Sequence, residues 1–181
     1  YASLRSFEAL GRNIPILGDL KADNIWISTQ NRGSYLGQNA YTMTGTAAEA
    51  TEMWRTLYTS ILRANTVINA ELVATSPANQ TTIDQIKGEA MAVRALCHFE
   101  LVKHFAQPYT VNPSAEGVPV VTTFDQNASP NRNTVAEVYT QVVSDLNEAF
   151  TLMTVNKNST YMTKYAAKAL QARAYLFMGD Y

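Results

Sequence analysis

The chain has 181 residues, of which 46% are hydrophobic and 16% are charged, and its formal net charge is -1 at pH 7. This size and composition predict one folded domain with a substantial core. The near-neutral charge argues against nucleic-acid binding, which needs a basic surplus, and the single cysteine excludes a disulfide framework and a cysteine-rich metal site.

Membrane insertion is not predicted either. No apolar run approaches the roughly 18 residues that span a bilayer, and no basic amphipathic stretch predicts adsorption to a membrane surface. The surplus of Asn, Gln, Thr, Ser and Tyr favours an exported protein. The chain opens without a signal peptide and stops where a further helix is expected, so we expect it to be a fragment of a longer protein.

A short helix is predicted over Tyr1 to Leu10, and an unusual stretch follows at DNIWISTQNRGSYLGQNAYTMTG, residues 23–45, here named the polar aromatic segment. It combines aromatic rings with many amides. Proteins hold neutral sugars in this way, by stacking a ring on the C–H face and hydrogen-bonding the hydroxyl fringe. The composition therefore predicts a glycan contact, for which the candidate residues are Asn24, Trp26, Asn31, Arg32, Tyr35, Asn39 and Tyr41.

A purely structural interpretation of the same segment stays open. DNIWIS could be a short extended segment with Trp26 buried against the helices, and Tyr35 or Tyr41 could be surface aromatics without a ligand. Trp54, by contrast, lies on the apolar face of a predicted helix and is expected in the core.

Two long helical patterns come next. In AAEATEMWRTLYTSILRANTVINAEL, residues 47–72, apolar side chains recur at three- and four-residue steps. In TTIDQIKGEAMAVRALCHFELVKHF, residues 81–105, they form one stripe: Ile83, Ile86, Ala90, Val93, Cys97, Leu101 and Phe105. We predict that the two segments form a first helix pair within residues 51–105.

Residues 106–133 contain several prolines and short apolar runs, which predicts an extended loop with VPVVT as a candidate strand. A loop of this length in a compact domain is expected either to be functional or to pack along a neighbour.

The third helical pattern, NTVAEVYTQVVSDLNEAFTLM, begins with a capping box formed by Thr134 and Glu137. The fourth, YMTKYAAKALQARAYLFMGDY, ends at Gly179, a common helix terminator. These segments form the second predicted helix pair, residues 134–178, within a single helical domain of residues 1–181.

The second and fourth patterns repeat each other, since AMAVRAL (90–96) resembles ALQARAY (169–175). Small residues at four-residue steps let helices approach closely, as in tetratricopeptide-like repeats. The predicted fold is therefore all-α, with tetratricopeptide-like antiparallel helix hairpins and long irregular loops.

Arg94 and Arg173 occupy equivalent positions in this repeat. Each could bind an anion, but buried pairing with Glu89, with Asp145 or with a helix end is favoured.

No metal, cofactor or catalytic site is predicted. Glu100 and His104 are one turn apart but have no third ligand, so a surface contact is favoured over a metal site. Nucleophile motifs and Gly-rich phosphate loops do not occur.

Several motifs also occur in an order that resembles a known family. They are GDLKADN (18–24), W-x-x-x-Y-x-x-I-x-x-A-N-x-x-I (54–68), IKGEAMAVRALCHFELVKHFAQP (86–108), GVPVVT (117–122), N-R-N-T-V-A-E-V-Y-x-x-V-x-x-D-L (131–146) and KYAAKALQARAYLFMGDY (164–181). In this order they resemble the SusD/RagB family, the glycan- and nutrient-binding outer-membrane lipoproteins of the Bacteroidetes. Members are much longer, and the resemblance implies that the chain corresponds to their N-terminal half.

The resemblance implies a non-catalytic role in a tetratricopeptide-like scaffold. Oligosaccharide would be captured at the cell surface, as cargo for a SusC-like TonB-dependent transporter in the outer membrane. We do not expect the implied lipid anchor in this chain, because Cys97 lies inside a predicted helix. The alternative is a tetratricopeptide-like protein–protein interaction scaffold without a sugar site.

Overall fold

The computed structural model describes residues 1–28, 30–158 and 160–180, and the regular structure in this part of the chain is helical. A 3-10 helix spans Ala2–Arg5, and it precedes the helices α1 Asn13–Lys21, α2 Leu36–Asn39, α3 Ala48–Ile68, α4 Pro77–Phe105, α5 Val135–Leu152 and α6 Lys164–Met178. The predicted all-α class is confirmed. Among the helices of the described residues, none has the length and apolarity needed to traverse a bilayer.

The chain forms two compact units, Tyr1–Thr59 and Ser60–Tyr181, and the boundary between them along the chain falls within α3. The single-domain assignment and the two helix pairs remain predictions.

The first unit begins differently from the sequence prediction. The helix predicted over residues 1–10 is only a 3-10 turn, because the backbone folds back so that the Gly11 N–H donates to the Ser6 carbonyl at 3.0 Å. A Cβ at Gly11 would meet the Arg5 carbonyl oxygen at 2.5 Å, so the turn requires glycine. Helix α1 was not predicted, and its Pro15 is tolerated because it lies in the first turn.

In the second unit, α4 and α5 run antiparallel. Gly88, early in α4, lies against Leu152 at the end of α5, and Phe99, further along α4, makes an edge-on contact with Tyr139 with ring centroids 6.0 Å apart. The N-terminal part of α4 therefore contacts the C-terminal end of α5, and the later part of α4 contacts the beginning of α5.

Helices α5 and α6 are antiparallel by the same criterion. The Gln171 amide donates to Asn147 Oδ1 at 2.8 Å, and Lys164 lies over the ring of Phe150, 6.0 Å from its centroid. The predicted antiparallel hairpins thus occur along the α4–α5–α6 succession.

Helix caps account for the helix boundaries. Thr134 and Glu137 form the predicted capping box at the start of α5, and Gly179 ends α6 in the left-handed conformation with φ of 76°. Helix α4 begins earlier than predicted, at Pro77, because the Ser76 hydroxyl accepts the N–H of Asn79 at 3.2 Å.

The middle of α4, residues 91–102, is buried on every side. The single apolar stripe predicted for this helix is therefore incomplete, and Ile86 on that stripe is 46% exposed. A helix surrounded by other elements does not need the one-sided pattern of a surface helix. It buries Arg94, His98 and Glu100 along with its apolar residues.

The loop between α4 and α5 contains no strand in the described residues, and the candidate strand VPVVT contributes none. Its one regular backbone feature is an isolated bridge between Glu116 and Thr134. The side-chain amides of Asn65 in α3 and of Asn69, just after its end, donate to the carbonyls of Val121 and Thr122, both at 2.9 Å. This part of the loop therefore packs along a neighbouring helix, one of the two expectations from its length.

Candidate functional site

Backbone conformation distinguishes the polar aromatic segment from the rest of the described chain. Asp23, Tyr35 and Tyr41 are the non-glycine residues with positive φ there, at 58°, 60° and 55°. Such conformations cost free energy in an L-residue and concentrate at ligand-binding sites.

Two of the predicted aromatic platforms are open to solvent. The side chain of Trp26 is 76% exposed and that of Tyr41 is 62% exposed. Trp26 is therefore not a core residue. Trp54, which was expected in the core, is only half-buried, with its ring centroid 5.0 Å from that of Tyr58.

Hydrogen bonds hold the two exposed rings on adjacent stretches of backbone. The Ile27 N–H donates to Asn39 Oδ1 at 2.9 Å, and the Tyr41 hydroxyl donates to Asp23 Oδ1 at 2.5 Å. Residues 23–27 are thus tied to residues 39–41 at two points, which brings together Asn24, Trp26, Asn39 and Tyr41. The hydrogen bond to Asp23 also raises the pKa of Tyr41.

The other polar candidates differ in their surroundings. Asn24 is exposed and its amide donates to Asp19 Oδ1 at 3.2 Å. Asn31 exchanges hydrogen bonds with the backbone of Ser34, at 2.7 and 3.0 Å, and so builds the turn that carries the exposed Arg32.

Tyr35 differs from the other two rings because its side chain is only 6% exposed. Its hydroxyl donates to Asn13 Oδ1 at 2.5 Å, and the Arg12 guanidinium lies 5.4 Å from its ring centroid. Burial raises the pKa of Tyr35. Such a ring leaves no open face for stacking, so Tyr35 supports the segment from within the first unit.

The arginine pair of the sequence repeat separates into two different environments. Arg94 is 5% exposed and binds Asp145 through two nitrogens, so the predicted buried pairing is found. Arg173 is exposed, although its sequence context is equivalent. Glu89 pairs with Lys157 at 2.5 Å.

Glu100 is a structural residue. Its carboxylate is buried, which overturns the expected surface contact, and it lies 2.5 Å from Lys103 Nζ and 3.5 Å from His104 Nε2. Burial works to raise the pKa of Glu100, but the bonds and charges of His104 and Lys103 outweigh it and lower that pKa. No group of three potential metal ligands occurs among the described residues.

The second unit also has an open groove of about 410 Å³ beside α5. Its polar lining maintains the fold, because Asn133 Oδ1 accepts the N–H of Val120 at 2.9 Å and Gln141 donates to Asp145 at 2.8 Å. The groove lining contains no aromatic ring. The polar aromatic segment is therefore the better candidate for sugar contact.

Comparison with known proteins agrees with this fold. Residues 8–176 match the model of a SusD-like family described as starch-binding and associating with the outer membrane. A curated relative, the SusD-like protein P38 of Formosa agariphila, is 27% identical over 168 residues, which are 91% of this chain and 30% of the relative.

Solved structures give the same result. A SusD superfamily protein from Bacteroides thetaiotaomicron superposes with a TM-score of 0.85 at 28% identity, covering 98% of this chain and 40% of that protein. A structure determined with a xylogluco-oligosaccharide has a TM-score of 0.73 at 21% identity, covering 94% of this chain and 32% of that one, and shares the fold alone. The chain thus spans well under half the length of these relatives.

Proposed function

The chain belongs to the SusD-like family of starch-binding proteins that associate with the outer membrane, and from this premise we propose that it binds oligosaccharide without transforming it, through the polar aromatic segment. Trp26 and Tyr41 stack on the sugar rings. Asn24, Asn31, Arg32 and Asn39 contact the hydroxyl fringe.

The observation that carries this proposal is the pair of open rings on tethered backbone. Trp26 and Tyr41 are mostly exposed, although they are aromatic, and hydrogen bonds at Ile27 and Asp23 restrict the stretches that carry them. A preorganised aromatic surface loses less conformational entropy when a ligand stacks on it.

Amide geometry supports a neutral ligand. Asn39 uses its oxygen for Ile27 and keeps its amide nitrogen as a donor, and Asn24 uses its nitrogen for Asp19 and keeps its oxygen as an acceptor. Sugar hydroxyls donate and accept, so they satisfy both kinds of group. Tyr35 serves this site indirectly, by anchoring the segment to Asn13.

Delivery of the bound oligosaccharide to a SusC-like TonB-dependent transporter is the expected biological role. The family description places such proteins at the outer membrane, and the SusD/RagB-like motif order supports a surface-exposed lipoprotein there. The chain spans only 30% of its curated relative, and our proposal concerns the part of the sugar contact that these residues supply.

The test is affinity electrophoresis of the intact protein in gels that contain soluble starch or xyloglucan. We expect the polysaccharide to retard the wild-type protein and the Trp26→Ala, Tyr41→Ala double variant to lose most of that retardation. Tyr165→Ala is the matched control, because this aromatic on α6 is 67% exposed and lies in the other unit. Undiminished retardation of a folded double variant would favour the interaction scaffold instead.

A further inference from the structure

A carboxylate lies directly beside one of the two open rings. Asp23 Oδ1 accepts the Tyr41 hydroxyl at 2.5 Å, and the side chain of Asp23 is itself exposed. A carboxylate has lone pairs for further hydrogen bonds. Any sugar stacked on Tyr41 therefore places its substituents close to this group.

No cation in the described residues neutralises this carboxylate by an ion pair. The ion pairs of that part of the chain involve neither Asp23 nor its neighbour Asp19, which accepts from Asn24 at 3.2 Å. The backbone carbonyl oxygen of Lys21 lies 3.4 Å from the Tyr41 hydroxyl. The side chain of Lys21 is exposed to solvent. Arg32 lies on the turn made by Asn31 and Ser34, and it forms none of those ion pairs.

We propose that Asp23 makes the site select neutral sugars and disfavour sugars that carry carboxylate or sulfate groups. This inference rests on the proposed function and adds a specificity residue to it. Selection of this kind uses a repulsive group against the wrong ligand together with an attractive one for the right ligand. Asp23 supplies both, because it accepts hydroxyl hydrogens and repels anions.

The expected size of the effect follows from Coulomb's law. A like charge about 6 Å from Asp23 weakens binding roughly threefold in bulk water, and by more where the ligand displaces water. Screening reduces such an effect, because the Debye length is only about 3 Å at 1 M salt.

The experiment compares soluble starch or xyloglucan, whichever retards the intact protein, with its C6-carboxylated derivative. We expect the wild-type protein to bind the carboxylated polymer at least threefold more weakly at low salt, with a smaller difference in 1 M NaCl. Asp23→Asn should bring the ratio towards one. Asparagine tolerates the left-handed backbone at this position, and its oxygen can still accept from Tyr41.

Glu148→Gln is the matched control, because it removes one exposed negative charge from α5 in the other unit and should leave the ratio unchanged. Equal binding of both polymers by the wild type, or an unchanged ratio in Asp23→Asn, overturns the role of Asp23 and leaves sugar binding intact. An equal change in Glu148→Gln overturns it too, since net charge would then explain the discrimination. Failure of every neutral polymer to retard the protein refutes the proposed function and this inference with it.

Discussion

The guanidinium of Arg94 holds both carboxylate oxygens of Asp145, at 2.8 Å from Nε and 2.7 Å from Nη2, although 51 positions separate the two residues. Arg94 Nη1 also donates to Asn65 Oδ1 at 2.9 Å and to the Thr122 carbonyl at 3.4 Å. One buried cation therefore joins α3, α4, α5 and the long loop. Bidentate, charge-assisted bonds of this kind are strong and geometrically specific.

Removing this cation should destabilise the fold. We expect Arg94→Ala to lower the free energy of unfolding by about 3–5 kcal/mol, because Asp145 would be left buried without its cationic partner. Urea denaturation measures the change. Arg173→Ala is the control from the equivalent repeat position, and because Arg173 is exposed we expect a loss below about 0.5 kcal/mol. Equal losses in the two variants would contradict the structural role of Arg94.

Gly88 should resist the usual benefit of alanine in a helix. A Cβ there would lie 2.8 Å from Met153 Cγ and 3.2 Å from the Ala149 carbonyl, so we expect Gly88→Ala to destabilise the protein by about 1–3 kcal/mol. In Gly18→Ala, within α1, the added Cβ meets nothing within 4 Å. We expect it to stabilise by about 0.5–1 kcal/mol. Melting temperatures that move in the same direction in both variants would refute the close α4–α5 contact.

The buried His98 should make stability depend on pH in the mildly acidic range. Burial, with help from the charge of Arg94, lowers the pKa of His98 to about 4 from its ordinary value near 6.5. Between these values the unfolded chain binds more protons than the folded one, so stability is complete above about pH 6.5 and falls as pH decreases towards 4. The loss approaches about 3 kcal/mol at the lower end of that range.

Denaturation curves at pH 7.5 and 5.5 test this effect. His98→Gln can still accept the N–H of Val121, which donates to His98 Nε2 at 3.3 Å, but it does not titrate. We therefore expect a flatter pH profile for the variant in this interval. A wild-type profile that is already flat would be inconsistent with a neutral buried imidazole. Glu100, whose lowered pKa also makes stability fall in acid, acts at lower pH than this interval.

Loss of the hydroxyl should reduce stability at Tyr35 and polysaccharide binding at Tyr41. Tyr35→Phe leaves the buried Asn13 Oδ1 without its donor, so we expect a loss of about 1–3 kcal/mol of stability. Tyr41→Phe should change stability by less than about 0.5 kcal/mol, because this residue is exposed, yet weaken polysaccharide retardation by releasing the ring from Asp23. Calorimetry measures the change in stability, and affinity gels measure the change in polysaccharide binding. Weaker retardation of Tyr35→Phe together with unchanged retardation of Tyr41→Phe would assign the sugar contact to Tyr35.

Much of the candidate site could be chosen from composition, but its arrangement could not. The mixture of rings and amides pointed to residues 23–45, and Trp26, Asn24, Asn39 and Tyr41 do lie on tethered stretches. Burial of Tyr35 has no local sequence signal, since it depends on Asn13 at the start of α1. The partnership of Asp23 with Tyr41 was missed for the same reason.

The sequence by itself determined the features that are encoded over a few neighbouring residues. The capping box at Thr134 and the glycine stop at Gly179 are of this kind, since each depends on backbone groups within about one helical turn. The side-chain spacing that predicts α3 to α6 also repeats about once per helical turn. Only the tertiary structure decided which of two equivalent arginines is buried and which aromatic rings face water. Burial depends on what other segments bring to a side chain, and Arg94 meets an acidic partner 51 positions away.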